Sequence, residues 1–169
     1  MLPATQIEFT EADVASTLAV QVHGQSNPAP ASIGAAIETA FATLDELRSR
    51  HALRFAGPPR VIYNSYGAEG VSFTLAMPVA PLPAPVEDPA LEVKTLPAAH
   101  TYRFTHHGPY REVMRTYGEI TAFMKAQGLM RSDADWARYM PMWEEYLNDP
   151  KTTPESELVT HIYLPVWRG

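Results

Sequence analysis

Residues 18–24, Leu-Ala-Val-Gln-Val-His-Gly, have a counterpart 84 positions later in residues 102–108, Tyr-Arg-Phe-Thr-His-His-Gly. Recurrence of several segments in the same order at a nearly constant spacing indicates an internal duplication. We therefore predict a single domain over residues 1–169, in which a first repeat (about 5–79) and a second repeat (about 91–167) are joined by a connector at 80–90. Three more segments recur with spacings of 83 to 87 residues: 7–9 with 91–93, 60–63 with 143–146, and 71–79 with 158–166.

Each repeat carries the pattern of strands, then one helix, then two further strands. Apolar residues alternate over 17–22 and 100–106, as they do in half-buried strands. Apolar residues at helical spacing predict a first helix that starts near Ser32, a suitable N-cap. They predict a second helix that starts after Gly108-Pro109 and ends near Gly128. Further strands are expected near 60–66, 70–79, 142–147 and 157–166.

This order of elements predicts an α+β fold. Two βαββ units are expected to pair around a pseudo-twofold axis and to form an antiparallel sheet with two helices on one face. The joint between two such halves is a natural place for a cleft, so we expect a central ligand cleft there.

Proline is concentrated where the two repeats meet. Five of the sixteen prolines lie between residues 78 and 89. Because proline lacks a backbone N–H, this stretch cannot form a central strand or a helix interior. It is predicted to be an extended, semi-rigid connector.

The composition excludes several classes of function. Without cysteine the chain cannot form disulfides, zinc–thiolate sites, iron–sulfur clusters or a cysteine nucleophile. Four basic and seven acidic residues precede position 85, and nine and twelve follow it, so each part carries −3 of the net charge of −6. Because the basic residues are scattered, nucleic-acid binding by this chain alone is not expected. No signal peptide and no apolar run of about 18 residues is visible, so we expect a soluble, cytoplasmic protein that does not enter a membrane.

The sequence offers no motif for a metal or a cofactor. His106 and His107 are adjacent, so on a strand they point to opposite faces and do not bind one ion. An HExxH motif, a P-loop, a GxGxxG fingerprint and a GxSxG elbow are all absent from the sequence. We therefore expect no metal and no cofactor; haem would need an axial ligand, for which His161 is the candidate.

Positions at which the two repeats differ are the better functional candidates. At a spacing of 83, Val61 corresponds to Glu144 and Tyr63 to Tyr146, so a carboxylate stands where the first repeat has an apolar residue. If Glu144 faces the cleft, partial burial should raise its pKa unless a cation or hydrogen-bond donors satisfy it. This favours a cationic or donor-rich ligand. The alternative is a glutamate at a strand edge that faces water.

A second group of candidates lies near the end of the chain. At a spacing of 87, Thr74 and Ala76 correspond to His161 and Tyr163. Tyr163 offers a ring wall and a hydroxyl for the cleft, or it is a core aromatic whose hydroxyl bonds to the backbone. His161 is either a proton carrier or a structural residue. Three further aromatic residues form a lid or wall of the cleft, or they pack in the core: Trp136, Tyr139 and Trp143.

Several motifs together resemble a known family. They are His107-Gly-Pro-Tyr110, Gly128-Leu129, Glu-Glu-Tyr-Leu-Asn-Asp-Pro at 144–150, Thr153-Pro154 and Thr-His-Ile-Tyr-Leu-Pro-Val at 160–166. This pattern is similar to the GyrI-like small-molecule-binding domain, which is also the effector-binding domain of multidrug-sensing activators of the MerR and AraC types. The resemblance implies a duplicated βαββ fold with a central cleft for apolar, often cationic aromatic compounds.

The resemblance also implies roles for particular residues. The glutamate two places before the tyrosine of the YLNDP motif contacts ligands in this family, and that position here is Glu144. Aromatic residues that line the cleft are typical, which favours Tyr63, Trp143, Tyr146 and Tyr163.

Three functions follow from the resemblance. The first is binding, for sensing or sequestration, of small hydrophobic compounds that are cationic or aromatic. The alternative is a hydrolase of cyclopropane-containing alkylating compounds, with Glu144 as general base assisted by Tyr163 or Tyr146. Inhibition of gyrase by protein interaction is less favoured, because −6 spread over the chain is a modest charge for mimicry of DNA.

Two features depart from the family pattern. Many relatives have a glutamate where this chain has His161. Strand-like Ile7-Glu8-Phe9 also leaves no room before it for a helix-turn-helix, so the chain is expected to be a stand-alone member with an unknown protein partner.

Overall fold

The computed structural model describes residues 7–166, and this part of the chain forms eight strands and two α-helices. The expected α+β class is confirmed. The predicted ends of the repeats, residues 5–6 and 167, lie outside the described residues. In chain order the elements are β1 (Glu8–Val14), β2 (Thr17–Ser26), α1 (Pro30–His51), β3 (Arg60–Gly67), β4 (Gly70–Pro78), β5 (Glu92–Leu96), β6 (Ala99–His107), α2 (Val113–Ala126), β7 (Met142–Tyr146) and β8 (Val159–Pro165). Short 3-10 segments lie at Tyr110–Glu112, Asp133–Tyr139 and Glu155–Glu157.

The first helix begins earlier than the sequence predicts. Its N-cap is Ala29 and its first residue is Pro30, so the expected start near Ser32 is wrong. Proline fits the first helical position because the N–H that it lacks would have no partner there. The end of α2 agrees with the prediction, since Gly128 follows it with a φ of 74°.

All eight strands form one antiparallel sheet in the order β1-β6-β8-β7-β3-β4-β2-β5. The counterparts in the two repeats are β1 and β5, β2 and β6, β3 and β7, and β4 and β8. If each strand is replaced by its counterpart, the order is reversed but otherwise unchanged. We interpret this symmetry as the product of the sequence repeat. The centre of this symmetry lies between β3 and β7, where Val61 pairs with Glu144.

The sheet must curl strongly, because strands far apart in it are joined by very short links. Only Ala15-Ser16 separates β1 from β2, although the two strands are six positions apart in the order. A flat sheet would place them about 29 Å apart at normal strand spacing. A two-residue link spans at most about 11 Å. Pro97-Ala98 imposes the same closure on β5 and β6.

The two faces of the sheet have different surroundings. One face packs against both helices and forms the main core, which includes Val61 and Phe104 from the sheet, Leu44 from α1 and Ile120 from α2. On the opposite face Ala19, Ala76 and Thr101 are fully buried, as expected on the inside of a curl. A functional side chain can therefore be buried on either face of the sheet. The alternation of side chains along its strand determines which face it occupies.

Candidate functional site

A large cavity opens on the helix-covered side of the sheet, above the central strands β3 and β7. Its volume is about 2210 Å³, which exceeds the roughly 300–1,000 Å³ of common ligand pockets. Ile37 and Phe41 of α1 line one wall and Tyr117 of α2 lines another. Exposed Met114 and Leu147 also contribute to its lining, so the cavity offers apolar surface to a ligand.

Glu144 lies on the floor of this cavity and is only 6% exposed. The hydroxyl of Tyr146, two residues along the same strand, donates to its Oε1 at 2.8 Å. The hydroxyl of Tyr117, from α2, donates to its Oε2. Tyr63 approaches the same carboxylate from β3 and also lines the cavity. Three tyrosines thus surround one carboxylate.

Burial and hydrogen bonding act on Glu144 in opposite directions. Burial raises the pKa of Glu144 above its usual value of 4.5, and the hydrogen bonds from Tyr117 and Tyr146 oppose this rise. Burial, followed by the negative charge of Glu144, holds the pKa values of both tyrosines well above 10. The two hydroxyls therefore keep their protons at neutral pH and act as donors.

Further aromatic residues frame the carboxylate. The ring of Tyr110 lies 5.3 Å from that of Tyr146, and the ring of Trp136 lies 5.8 Å from that of Tyr117. Trp136 is held in turn by a 3.0 Å hydrogen bond from its Nε1 to Thr121 Oγ1 on α2. The site can thus offer ring faces to an aromatic or cationic ligand.

Acidic side chains dominate the charged groups around the cavity. Two basic side chains, Arg111 and Lys151, also line it, and Arg111 is bound to Glu155 at 2.7 Å. The five carboxylates that line it are Glu38, Asp45, Asp133, Glu144 and Asp149. Asp133 is in turn bound to Lys125 at 2.8 Å. The lining contains more acidic than basic side chains, which is the charge pattern that attracts cations.

Four of the residues proposed from the sequence line this cavity together: Tyr63, Trp136, Glu144 and Tyr146. Tyr110 and Tyr117 were missed. Tyr110 belongs to the His-Gly-Pro-Tyr motif, which could have identified it. Tyr117 belongs to the apolar stripe of α2, where helical spacing alone indicates packing.

Trp143, His161 and Tyr163 do not line the cavity, so their predicted place in the same cleft as Glu144 is corrected. Neighbouring strand residues point to opposite faces, and Trp143 adjoins Glu144. The register pairs Trp143 with Tyr163 on that opposite face, where their rings stack at 5.1 Å. His161 pairs with Glu145 there. Glu144 and Tyr163 therefore lie on different sides of the sheet and cannot act on one substrate atom.

Trp143 and Tyr163 are instead part of a charged and aromatic cluster. The guanidinium of Arg60 lies 5.4 Å from the Trp143 ring, and Arg60 Nε is 3.6 Å from Glu145 Oε2. The hydroxyl of Tyr163 donates to Glu145 Oε1 at 3.3 Å. This cluster packs the inside of the curl.

Tyr139 also lies outside the lining of the cavity. It is buried, its hydroxyl donates to the carbonyl oxygen of Leu129 at 2.9 Å, and its ring packs 6.2 Å from that of Tyr102. The structure thus gives Tyr139 the packing role that was its alternative.

Membrane and metal features can be stated for residues 7–166 only. In this range no helix is both long and apolar enough to cross a bilayer. The same residues contain no group of three or more histidine, aspartate or glutamate side chains arranged to hold a metal ion.

Known structures share this fold at low sequence identity. The C-terminal domain of EcmrR matches with a TM-score of 0.74 and 14% identity, covering 96% of this chain and 99% of that one. A hydrolase from Listeria innocua matches with a TM-score of 0.58 and 15% identity, covering 95% and 92%. SAV2435, bound to tetraphenylphosphonium, matches with a TM-score of 0.61 and 13% identity, covering 95% and 94%.

By sequence, no curated protein matches the chain. The model of one protein family does match it, over residues 13–166, and its description is the GyrI-like small molecule binding domain. Since this match spans nearly the whole chain, and the fold and the large cavity agree with it, the protein belongs to the family of GyrI-like small molecule binding domains.

Proposed function

We propose that this protein binds small, hydrophobic, aromatic cations in the cavity above β3 and β7, with Glu144 as the charge that selects them. The observation that carries the proposal is the placement of Glu144, which is 6% exposed and lies on the floor of an aromatic cavity. Among the described residues no lysine, arginine or histidine forms an ion pair with it.

A buried carboxylate without a counter-ion is costly to ionise. The hydroxyls of Tyr117 and Tyr146 satisfy its oxygens but carry no positive charge. A cationic ligand would supply the missing charge and would lie against electron-rich ring faces, each worth about 0.5–2 kcal/mol to a cation. A neutral ligand of the same shape would gain only the apolar contacts.

The family supports small-molecule binding in general, and one neighbour of the same fold supports this ligand class. SAV2435 carries tetraphenylphosphonium, a bulky aromatic cation. The cavity here is large enough for such a compound.

Isothermal titration of the wild-type protein with tetraphenylphosphonium and with uncharged triphenylphosphine oxide tests the ligand class. We expect saturable binding of the cation with at least tenfold higher affinity than for the neutral compound. Equal affinities, or no binding of either, would contradict the proposal.

Hydrolysis is the second candidate function. A carboxyl group whose pKa is raised by burial is suited to take a proton from water at neutral pH, and the two tyrosine hydroxyls beside it are suited to return one. On a cyclopropane conjugated to a carbonyl group, the water oxygen would bond to a ring carbon. The broken ring bond would then leave its electron pair on the carbonyl system, which takes up a proton.

The tyrosine that assists Glu144 in this reaction would be Tyr117 or Tyr146, because Tyr163 lies on the other face of the sheet. Turnover of an activated cyclopropane, followed as substrate loss with enzyme at one hundredth of the substrate concentration, tests this candidate. Multiple turnovers that Glu144→Gln abolishes would support it, whereas stoichiometric binding alone would exclude it.

A further inference from the structure

His106 is a buried titratable side chain that neither proposed function uses. It lies on β6, is 2% exposed, and points to the helix-covered face of the sheet. In the sheet it pairs with Thr160, which pairs with Tyr146. His106 is therefore placed in the strand row next to that of Glu144, behind the wall of the cavity.

Both ring nitrogens of His106 contact segments that carry cavity tyrosines. Nε2 donates to the carbonyl oxygen of Pro109 at 3.0 Å, and Pro109 immediately precedes Tyr110. Nδ1 is 2.6 Å from the hydroxyl of Thr116, and Thr116 immediately precedes Tyr117. Because the Pro109 oxygen only accepts, Nε2 carries the proton and Nδ1 can accept from Thr116.

The first repeat fills the matching space without a hydrogen bond. There Tyr63 pairs with Phe73, and Phe73 pairs with Gly24. The ring of Phe73 covers Gly24 so closely that a Cβ on this glycine would lie 2.3 Å from it. In the second repeat the small Thr160 stands at the position of Phe73. Its partner in the sheet is His106, which lies two residues before Gly108, the sequence counterpart of Gly24. Where the first repeat has the apolar Phe73 ring, the second has the His106 ring, which binds the Pro109 carbonyl before α2 and the Thr116 hydroxyl on α2.

We propose that His106 is a positioning residue of the ligand site, which holds Tyr110 and Tyr117 in place around Tyr146 and Glu144 through its two ring nitrogens. The inference rests on the proposed ligand site at Glu144. If the His106 bridge is lost, the start of α2 is free to move, and Tyr117 loses its alignment with the carboxylate.

Two variants separate this role from simple packing. His106→Phe keeps a ring but removes both hydrogen bonds, whereas His106→Gln keeps one donor and one acceptor. We expect His106→Phe to bind tetraphenylphosphonium about tenfold more weakly than wild type, and His106→Gln to stay within about threefold. His107→Gln is the matched control, because His107 is exposed and points to the other face, and it should bind like wild type.

A measurement without ligand tests the same role. Among the described residues, the titratable groups that act on Glu144 are Tyr63 on β3, His106 on β6, Tyr110 before α2, Tyr117 on α2 and Tyr146 on its own strand. His106→Phe raises the pKa of Glu144 in two ways: it loosens the Tyr117 donor, and it removes His106 itself, whose electrostatic interaction lowers that pKa. The protonation midpoint of Glu144 should therefore move upward by about one pH unit in His106→Phe. Thr116→Val keeps the His106 ring but removes its bond to α2, so an upward shift in this variant reports the positioning role alone. The carboxyl ¹³C NMR signal of Glu144, assigned by its loss in Glu144→Gln, reports this midpoint.

The outcomes distinguish this inference from the proposed function. If wild type does not bind the cation, the proposed function fails, and the Glu144 midpoint alone decides the role of His106. If His106→Phe matches wild type in midpoint, and in affinity where wild type binds, the inference is overturned. It is also overturned if His106→Gln is as defective as His106→Phe although both fold. If His106→Phe does not fold, Thr116→Val removes the bond to His106 Nδ1 with little change in side-chain shape. The protonation midpoint of Glu144 must also move upward in that variant.

Discussion

Val61 and Glu144 lie directly opposite each other on β3 and β7, at the centre of the eight-stranded sheet. The two residues are also counterparts in the sequence repeat. The same central position is therefore occupied by a fully buried apolar side chain in one half and by a nearly buried carboxylate in the other. The symmetric strand order thus carries one charge at its centre, and that asymmetry is the basis of the ligand site proposed above.

The buried charge should cost stability at neutral pH. Because burial raises the pKa of Glu144, the folded protein keeps a proton that the unfolded chain releases above about pH 4.5. Stability therefore falls as the pH rises from that value to the folded pKa. Glu144→Gln should be more stable than wild type at pH 7, by an amount on the order of 1 kcal/mol. Urea denaturation at pH 7 and pH 4.5 measures this, and a gain that is no smaller at pH 4.5 would contradict the assignment.

Tyr117→Phe should weaken the support of the carboxylate. The variant keeps the ring against Trp136 but removes the hydroxyl that donates to Glu144 Oε2. We expect a loss of about 1–2 kcal/mol in the free energy of unfolding at neutral pH. The pH below which cation binding is lost should also move upward, because the carboxylate takes up its proton more readily. Unfolding curves together with titrations from pH 5 to pH 8 test both effects, and an unchanged pH profile would speak against the hydrogen bond.

Tyr163→Phe should leave ligand binding and any hydrolysis unchanged. The hydroxyl of Tyr163 donates to Glu145 on the face of the sheet opposite to the cavity. Affinity for tetraphenylphosphonium within twofold of wild type is the expected result. A tenfold loss in a variant with a normal melting temperature would restore Tyr163 to the ligand site and contradict the register described above.

Asp88 should make the proline-rich connector sensitive to acid. A backbone N–H from Ala90 and the side chains of His51 and Arg50 bind its carboxylate, and together they lower its pKa to about 2. The unfolded value is 3.8, so this contribution to stability is complete above about pH 4 and is lost as the pH falls towards 2. Asp88→Asn should lower the melting temperature at pH 6, with a smaller difference at pH 3. A difference that grows on acidification would contradict this.

Much of the fold could be predicted because segments of the sequence recur in the same order at a nearly constant spacing. Two copies of one pattern fixed the strands around the central pair and identified Val61 and Glu144 as counterparts. The face of the sheet on which Tyr163 lies could not be predicted in the same way. It depends on the register between β7 and β8, which pairs Tyr163 with Trp143, and on a curl that buries both faces of the sheet.

The same distinction explains which tyrosines near Glu144 could be predicted from the sequence. Tyr63 and Tyr146 share a face with Glu144 by simple alternation and were found. Tyr117 comes from a helix, where an inward tyrosine has the same spacing as a core residue, and only the packing of α2 over β7 brings its hydroxyl to Glu144.

The central claim is that the charge of Glu144 selects cations, and one ratio tests it most directly. Titration calorimetry gives the affinity for tetraphenylphosphonium divided by that for triphenylphosphine oxide in wild type, Glu144→Gln and Glu145→Gln. Glu145 is the matched control, since it adjoins Glu144 but faces the other side of the sheet. We predict that the ratio falls about tenfold or more in Glu144→Gln, through loss of cation affinity alone, and is unchanged in Glu145→Gln. An unchanged ratio in Glu144→Gln would contradict the account.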